Sequence, residues 1–201
     1  MTPTERPSTA PTTDAAPRDS ASLVLLRDGD PGLEVLLLRR HQNSKVLGGM
    51  YVFPGGKLDP EDCDPAWHTW LDQTPAALHA HLNEPDTPPA TATGLFVAAL
   101  RETLEEVGLL LAEPLHTPHA PPEAGLQGAL QALEAPNALR TAFEAHQLRW
   151  CSRHIIPWSR WITPRTPLLQ SVRFDTRFFL AVLPPGQQPS TTPTKPPKPC
   201  G

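Results

Sequence analysis

The amino-acid sequence predicts an α/β fold, and two features carry that prediction. Apolar runs typical of strands alternate with longer helix-like segments, without an internal repeat. One strand-like run also ends in Pro54, Gly55 and Gly56, where a backbone without side chains can pass close to a ligand. The chain is therefore expected to place a glycine loop beside a sheet.

Length and composition indicate one domain with polar ends. A chain of 201 residues is long enough for a single hydrophobic core plus tails. Residues 1–20 are rich in Thr, Pro, Ala and Ser without an apolar run like that of a signal peptide, so a disordered lead is predicted. Residues 21–185 form the predicted domain, and the proline-rich residues 186–201 a disordered tail.

Charge and cysteine content narrow the classes of function. The net charge of −4 gives no electrostatic reason to expect nucleic acid as a partner. No segment is predicted to span a membrane. The three cysteines are widely spaced and form no Cys-x-x-Cys pair, which indicates neither a disulfide framework nor a zinc site. The expected location is the cytoplasm.

The first half of the domain is predicted to contain three strands and one or two short helices. Residues 22–27 and 33–39 are apolar runs separated by D-G-D-P-G, a composition typical of a turn between paired strands. Residues 50–53 predict the next strand. Residues 65–82 predict short helices, broken near Pro75.

The second half is predicted to alternate helices and strands. A loop over residues 114–122 is followed by two helices, at residues 123–135 and 137–147. Residues 155–163 and 172–183 then predict two further strands.

Residues 101–108, which read R-E-T-L-E-E-V-G, predict a metal-binding helix. Residues three and four apart lie above one another on a helix, so Glu102, Glu105 and Glu106 share one side. Carboxylates this close repel one another unless a cation gathers them, and carboxylate oxygens are preferred ligands of Mg²⁺. An ordinary solvated face is the alternative. Arg101 is placed four residues before Glu105 to steady it as an ion pair.

The glycine loop and the acidic helix together resemble the Nudix hydrolases, whose signature is G-x5-E-x7-R-E-U-x-E-E-x-G-U with U aliphatic. The charged and glycine positions of its second half match at residues 101–108. In the first half Asp62 stands where the family has Glu, and residues 63–100 replace the seven-residue spacer. The signature is thus split by an insertion, assigned to residues 63–90, which a surface loop tolerates at small entropic cost.

The resemblance implies an α/β/α sandwich around a mixed sheet and a site for Mg²⁺ or Mn²⁺. Glu105 and Glu106 would coordinate the ion directly, and Glu102 would be a further ligand or a proton acceptor. The Gly55 carbonyl would complete the coordination, and Arg101 would orient the glutamates. Asp62 would lie either on the ion or behind its ligands.

The long insertion resembles the branch of Nudix proteins related to peroxisomal coenzyme A diphosphatases. Arg39, Arg40 and Lys45 have a spacing similar to the basic element of coenzyme A hydrolysing members, and residues 161–164 and 173–179 also resemble this branch. These three basic residues would bind phosphates of the substrate. The implied reaction cleaves coenzyme A or acyl-coenzyme A to adenosine 3′,5′-bisphosphate and (acyl-)phosphopantetheine.

Two alternatives stay open, together with two structural expectations. The substrate is alternatively another nucleoside diphosphate derivative, or the chain is a catalytically inactive Nudix scaffold that binds nucleotide or protein.

The Nudix fold normally continues with a strand and a helix where this sequence turns proline-rich after Leu183, so an incomplete C-terminus is expected. Uncovered apolar sheet surface would then favour association, with a homodimer as the expected oligomer.

Overall fold

The computed structural model describes residues 16–40, 42, 49–117, 123–133, 138–165 and 173–190. The strands are β1 (Arg18–Asp28), β2 (Leu33–Val35), β3 (Leu38–Arg39), β4 (Tyr51–Val52), β5 (Gly55–Lys57), β6 (Ala112–Pro114), β7 (Leu148–Trp150), β8 (Ile156–Ile162) and β9 (Phe174–Val182). The α-helices are α1 (Pro75–Leu82), α2 (Pro89–Val107), α3 (Glu123–Ala132) and α4 (Ala138–Ala145). Short 3-10 turns occupy Pro60–Cys63, Pro65–Trp70 and Ser152–His154.

A mixed five-stranded sheet organises the domain. Its order is β2-β1-β9-β8, with β5 also paired to β1. β1 is parallel to β9 and antiparallel to β2 and β5, and β8 is antiparallel to β9. The predicted α/β class with a mixed sheet is therefore confirmed.

Helix α2 is the central element of the core. Of its 19 residues 15 are buried, so the helix is packed on nearly all sides rather than along one stripe. Phe96 meets Phe179 of β9 at a ring-centroid distance of 4.9 Å, which fixes α2 against the sheet. The helix ends at Gly108, whose left-handed backbone (φ +67°) forms a C-terminal cap through its N–H to Leu104 O.

The insertion is a compact segment tied to the sheet by charge. Thr74 caps α1, accepting a hydrogen bond of 3.2 Å from Ala77 N–H, and Pro75 is the first residue of this helix. The expected break near Pro75 separates it from the 3-10 turn Pro65–Trp70. Glu84, just beyond α1, accepts hydrogen bonds from Arg177 of β9 at 2.9 to 3.3 Å. Because α2 begins five residues later, this ion pair fixes the start of the acidic helix relative to the sheet.

Three elements differ from the sequence-based expectation. The single strand expected at residues 33–39 is two short strands, because β2 pairs with β1 whereas β3 pairs with β4 in a separate ribbon. β6 and β7 were not predicted. They pair antiparallel, although α3 and α4 lie between them in the sequence. The glycine loop is itself a short strand, since β5 pairs with β1.

The ordered chain extends beyond both expected domain boundaries. β1 begins at Arg18, inside the predicted lead, because its N–H bonds Arg173 O and the strand pairs with β9 from there. At the other end, the Gln187 side chain bonds both N–H and C=O of Leu110, and Ser190 N–H bonds Val107 O. Among the described residues, no helix is both long and apolar enough to cross a membrane.

Phe179→Ala should lower the free energy of unfolding by about 3 to 5 kcal/mol, because it empties a fully buried site between β9 and α2. Val182→Ala, at a position 73% exposed on the same strand, is the matched control and should change stability by less than about 0.5 kcal/mol. Urea unfolding followed by circular dichroism measures both. Equal effects of the two substitutions would contradict this packing.

Candidate active site

Two glycines bring β5 into direct contact with its neighbours. A Cβ atom at Gly55 would overlap the Ala21 carbonyl oxygen, so only glycine fits beside β1. A Cβ atom at Gly56 would lie 2.5 Å from the Glu102 carboxyl carbon. The absence of these side chains lets the acidic end of α2 lie directly over the β5 backbone.

The Gly55 backbone positions one glutamate. Its N–H donates a hydrogen bond of 2.9 Å to Glu106 Oε2. The predicted neighbourhood of Gly55 and the acidic helix is thus formed in the structure. Coordination by the Gly55 carbonyl stays a prediction.

The guanidinium of Arg101 connects both halves of the motif. Its Nε and Nη2 donate to the two oxygens of Asp62 at 2.7 and 2.9 Å. Its Nη1 donates to Glu102 at 2.7 Å and to Glu105 at 3.2 Å. Burial would lower the pKa of Arg101, but the hydrogen bonds to Asp62 and the charges of these acids raise it above its ordinary value. The predicted Arg101–Glu105 ion pair is present, within a larger network.

Asp62 is one of the most deeply buried acids of the site, with 2% of its surface exposed. Both carboxylate oxygens accept from Arg101, and Oδ2 also accepts from Asp59 N–H at 2.9 Å, which closes the turn Pro60–Cys63. This arrangement favours the alternative in which Asp62 holds Arg101 rather than the metal ion. Sequence reasoning could identify the acid but not its partner, because 39 positions separate them.

The pKa of Glu106 is the most informative electrostatic feature. Burial, together with the charges of Glu102 and Glu105, raises the pKa of this carboxyl to about 7, against the lowering effects of the hydrogen bond from Gly55 N–H and the charge of Arg40. Three carboxylates thus accept hydrogen bonds from one buried guanidinium, and the carboxyl of Glu106 lies within electrostatic range of two of them. The excess of negative charge is what a divalent cation would neutralise.

The side chains present fit Mg²⁺ or Mn²⁺. Both are hard cations that take oxygen ligands, and three glutamates on one side of α2 beside a glycine backbone offer such oxygens. Their oxygens do not all lie within 4.8 Å of one another, so the carboxylates would have to close on the ion. The buried excess of negative charge is expected for a site that binds a cation. Glu102, Glu105 and Glu106 are accordingly the residues that would hold the ion.

One of the three predicted phosphate-binding residues, Arg40, is related to this site by its charge. Arg39 is exposed at the end of β3, and Arg40 is half-buried directly after it. The charge of Arg40 acts on Glu106, which places this guanidinium within electrostatic range of the glutamates. Lys45 lies outside the described residues.

A second acidic group forms a charge-balanced structural network. Asp72, Glu113 and Cys151 have potential ligand atoms within 4.8 Å of one another. Arg153 donates to both carboxylates, and Arg149 donates to Glu113 at 2.9 Å, so two cations already neutralise two anions. Burial, with the charges of Glu113 and Asp72, raises the pKa of the Cys151 thiol to about 12. A protonated thiol and neutralised acids are poor metal ligands, so we assign this group to joining β6 and β7 to the insertion.

Comparison with known proteins agrees with this geometry. The family model described as the NUDT19 Nudix domain matches residues 10–196. A solved NUDIX hydrolase from Alicyclobacillus acidocaldarius superimposes with a TM-score of 0.59 at 33% identity, covering 84% of this chain and 71% of that one. The chain therefore belongs to the Nudix hydrolase family, with a domain of the NUDT19 type.

Two relatives indicate how far the likeness extends. Acyl-coenzyme A diphosphatase NUDT19 of Homo sapiens is 32% identical in an alignment of 189 positions, which covers 76% of this chain and 48% of the human protein. The Gallus gallus protein of the same name is 29% identical in an alignment of 209 positions, which covers 83% of this chain and 55% of that protein. The chain thus spans about half the length of the curated relatives it matches.

Glu106 predicts a pH dependence of stability in the metal-free protein. Its pKa rises from 4.5 to about 7 on folding, so the folded state holds the proton more tightly. The tighter binding of this proton contributes fully to the free energy of unfolding below pH 4.5. The contribution is lost as the pH rises towards about 7, where the carboxyl ionises inside the fold. Thermal unfolding in EDTA should show a larger drop between pH 5 and pH 8 for wild type than for Glu106→Gln. An identical drop in both proteins would contradict the assignment.

Proposed function

We propose that the chain is a Mg²⁺- or Mn²⁺-dependent diphosphatase acting on coenzyme A or acyl-coenzyme A. The observation that carries the proposal is the buried network in which Arg101 joins Asp62 to Glu102 and Glu105 beside the Gly55–Glu106 hydrogen bond. Carboxylates gathered in this way suit hydrolysis of a diphosphate, whose negative oxygens need a cation between them and the protein.

The substrate class is supported by the relatives and by the basic residues before the site. The human and chicken relatives are named acyl-coenzyme A diphosphatases. Arg40 supplies a positive charge near Glu106, where a phosphate would lie. Adenosine 3′,5′-bisphosphate and (acyl-)phosphopantetheine are the proposed products.

The reaction itself is a hydrolysis at phosphorus. The oxygen of water forms a bond to one phosphorus of the diphosphate, and the bond from that phosphorus to the bridging oxygen breaks. The bridging oxygen leaves with the other phosphate, and the proton of water passes to a base. A bound divalent ion would neutralise the phosphate oxygens and lower the pKa of the attacking water.

The protein's own residues organise this step. Arg101 fixes the carboxylates of Glu102 and Glu105, whereas Gly55 N–H fixes that of Glu106. Glu102 is proposed as a further ligand or as the base. Preorganised charge of this kind stabilises a transition state without reorganisation during the reaction.

The compartment is proposed from the thiols. Cys63 and Cys151 are both free, which suits a reducing compartment, and the cytoplasm is the proposed location. A homodimer remains the proposed oligomer.

Coenzyme A, acyl-coenzyme A, ADP-ribose and nucleoside triphosphates should be compared as substrates with Mg²⁺ or Mn²⁺, with products separated by chromatography. Coenzyme A and its acyl forms should be cleaved preferentially, and Glu105→Gln or Glu106→Gln should lower kcat by about 100-fold or more, since each removes a charged ligand. Glu61→Gln is the matched control, because this acid is exposed one residue before Asp62. Preferred cleavage of ADP-ribose would favour the alternative in which the substrate is another nucleoside diphosphate derivative. Absence of turnover by the folded protein would favour the inactive Nudix scaffold.

Arg40→Gln should raise KM for coenzyme A about tenfold with a smaller change in kcat, because it removes a charge-assisted phosphate contact worth about 1.5 kcal/mol. Arg27→Gln is the control, since Arg27 is an exposed arginine of β1 that is already paired with Glu34 of β2. Steady-state kinetics measure both variants. An unchanged KM in Arg40→Gln would exclude this arginine from substrate binding.

A further inference from the structure

The split signature requires two distant segments to meet within hydrogen-bond distance. Asp62 ends the first segment, in the turn Pro60–Cys63, and Arg101 lies 39 positions later on α2. Their two hydrogen bonds, of 2.7 and 2.9 Å, tolerate little displacement. Some contact between the turn and α2 must therefore set their separation.

Gly94 is a second point at which these segments approach closely. It is buried within α2, seven residues or about two helical turns before Arg101, and therefore lies on the same face. A Cβ atom at Gly94 would lie 2.6 Å from Cys63 Sγ, 3.0 Å from Leu58 Cδ1 and 3.4 Å from the Asp62 carbonyl carbon. All three neighbours belong to the turn that carries Asp62 or to the residues leading into it.

The local backbone gives no other reason for glycine at this position. Gly94 lies inside a regular helix, where glycine costs about 1 kcal/mol relative to alanine. Its φ is not among the positive values found at Gly49, Gly55, Gly108 and Gly186. The space left by the missing side chain is filled by Cys63, so close packing explains the residue.

We propose that Gly94 is a positioning residue, which seats Cys63 against α2 and thereby sets the distance from Asp62 to Arg101. Because Arg101 also holds Glu102 and Glu105, the contact positions the metal-binding carboxylates from two helical turns away. The effect on turnover rests on the proposed substrate, whereas the effect on cation binding rests only on the metal site of the proposed function. Cys63 and Gly94 thus replace the continuous chain that joins the two halves in an unsplit signature.

The test compares Gly94→Ala, Cys63→Ala and the double variant. In Gly94→Ala the turn must move away from α2, so Mn²⁺ affinity should fall about tenfold, and kcat for coenzyme A should fall about tenfold or more with little change in KM. Cys63→Ala removes Sγ and loosens the contact without a clash, so its losses of Mn²⁺ affinity and kcat should be smaller than those of Gly94→Ala. The double variant should regain most of the lost affinity and kcat, because the added methyl group then occupies the space left by the sulfur.

Two measurements complete the experiment. Electron paramagnetic resonance follows the Mn²⁺ titration of each variant, and thermal unfolding shows whether each variant is folded. Wild-type behaviour of Gly94→Ala would overturn the proposal, and so would a double variant as impaired as Gly94→Ala. If Gly94→Ala does not fold, a folded and active double variant still supports the contact, and an unfolded double variant overturns it. Absence of coenzyme A cleavage by wild type would defeat the proposed function alone, since the Mn²⁺ titrations still decide the role of Gly94.

Discussion

The buried ion pair between Arg101 and Asp62 is the interaction on which the rest of the site depends. A guanidinium removed from water is tolerated only when its donors are satisfied, and here Asp62, Glu102 and Glu105 accept from it. Removing one partner of such a pair typically costs about 3 to 5 kcal/mol, because the other charge is left buried and unpaired. The pair therefore ties the turn before the insertion to the acidic helix.

The sheet and the insertion support that pair from opposite ends of α2. Phe96 against Phe179 fixes the helix on the sheet, and Glu84 with Arg177 fixes the chain just before it. Gly55 N–H then meets Glu106 near the other end of the helix. A long insertion is compatible with the site because each of its ends is anchored by a contact to the same sheet or helix.

The sequence predicted the acidic face of α2 because that face depends only on helical periodicity. Glu102, Glu105 and Glu106 fall on one side of the helix by spacing alone, and the glycines of β5 were recognisable from composition. The partner of Asp62 could not be predicted, since it depends on the path of the insertion. The division of residues 33–39 depends on strand register, and the close packing of Gly94 on Cys63 leaves no periodic signal in the sequence.

A crystal structure with Mn²⁺ and adenosine 3′,5′-bisphosphate, with the ion located by anomalous scattering, would test the central claim most directly. The account predicts oxygen ligands from Glu102, Glu105 and Glu106 at the ion, while both oxygens of Asp62 remain on Arg101. An ion bound by Asp62, with Arg101 released to solvent or to the nucleotide, would contradict it.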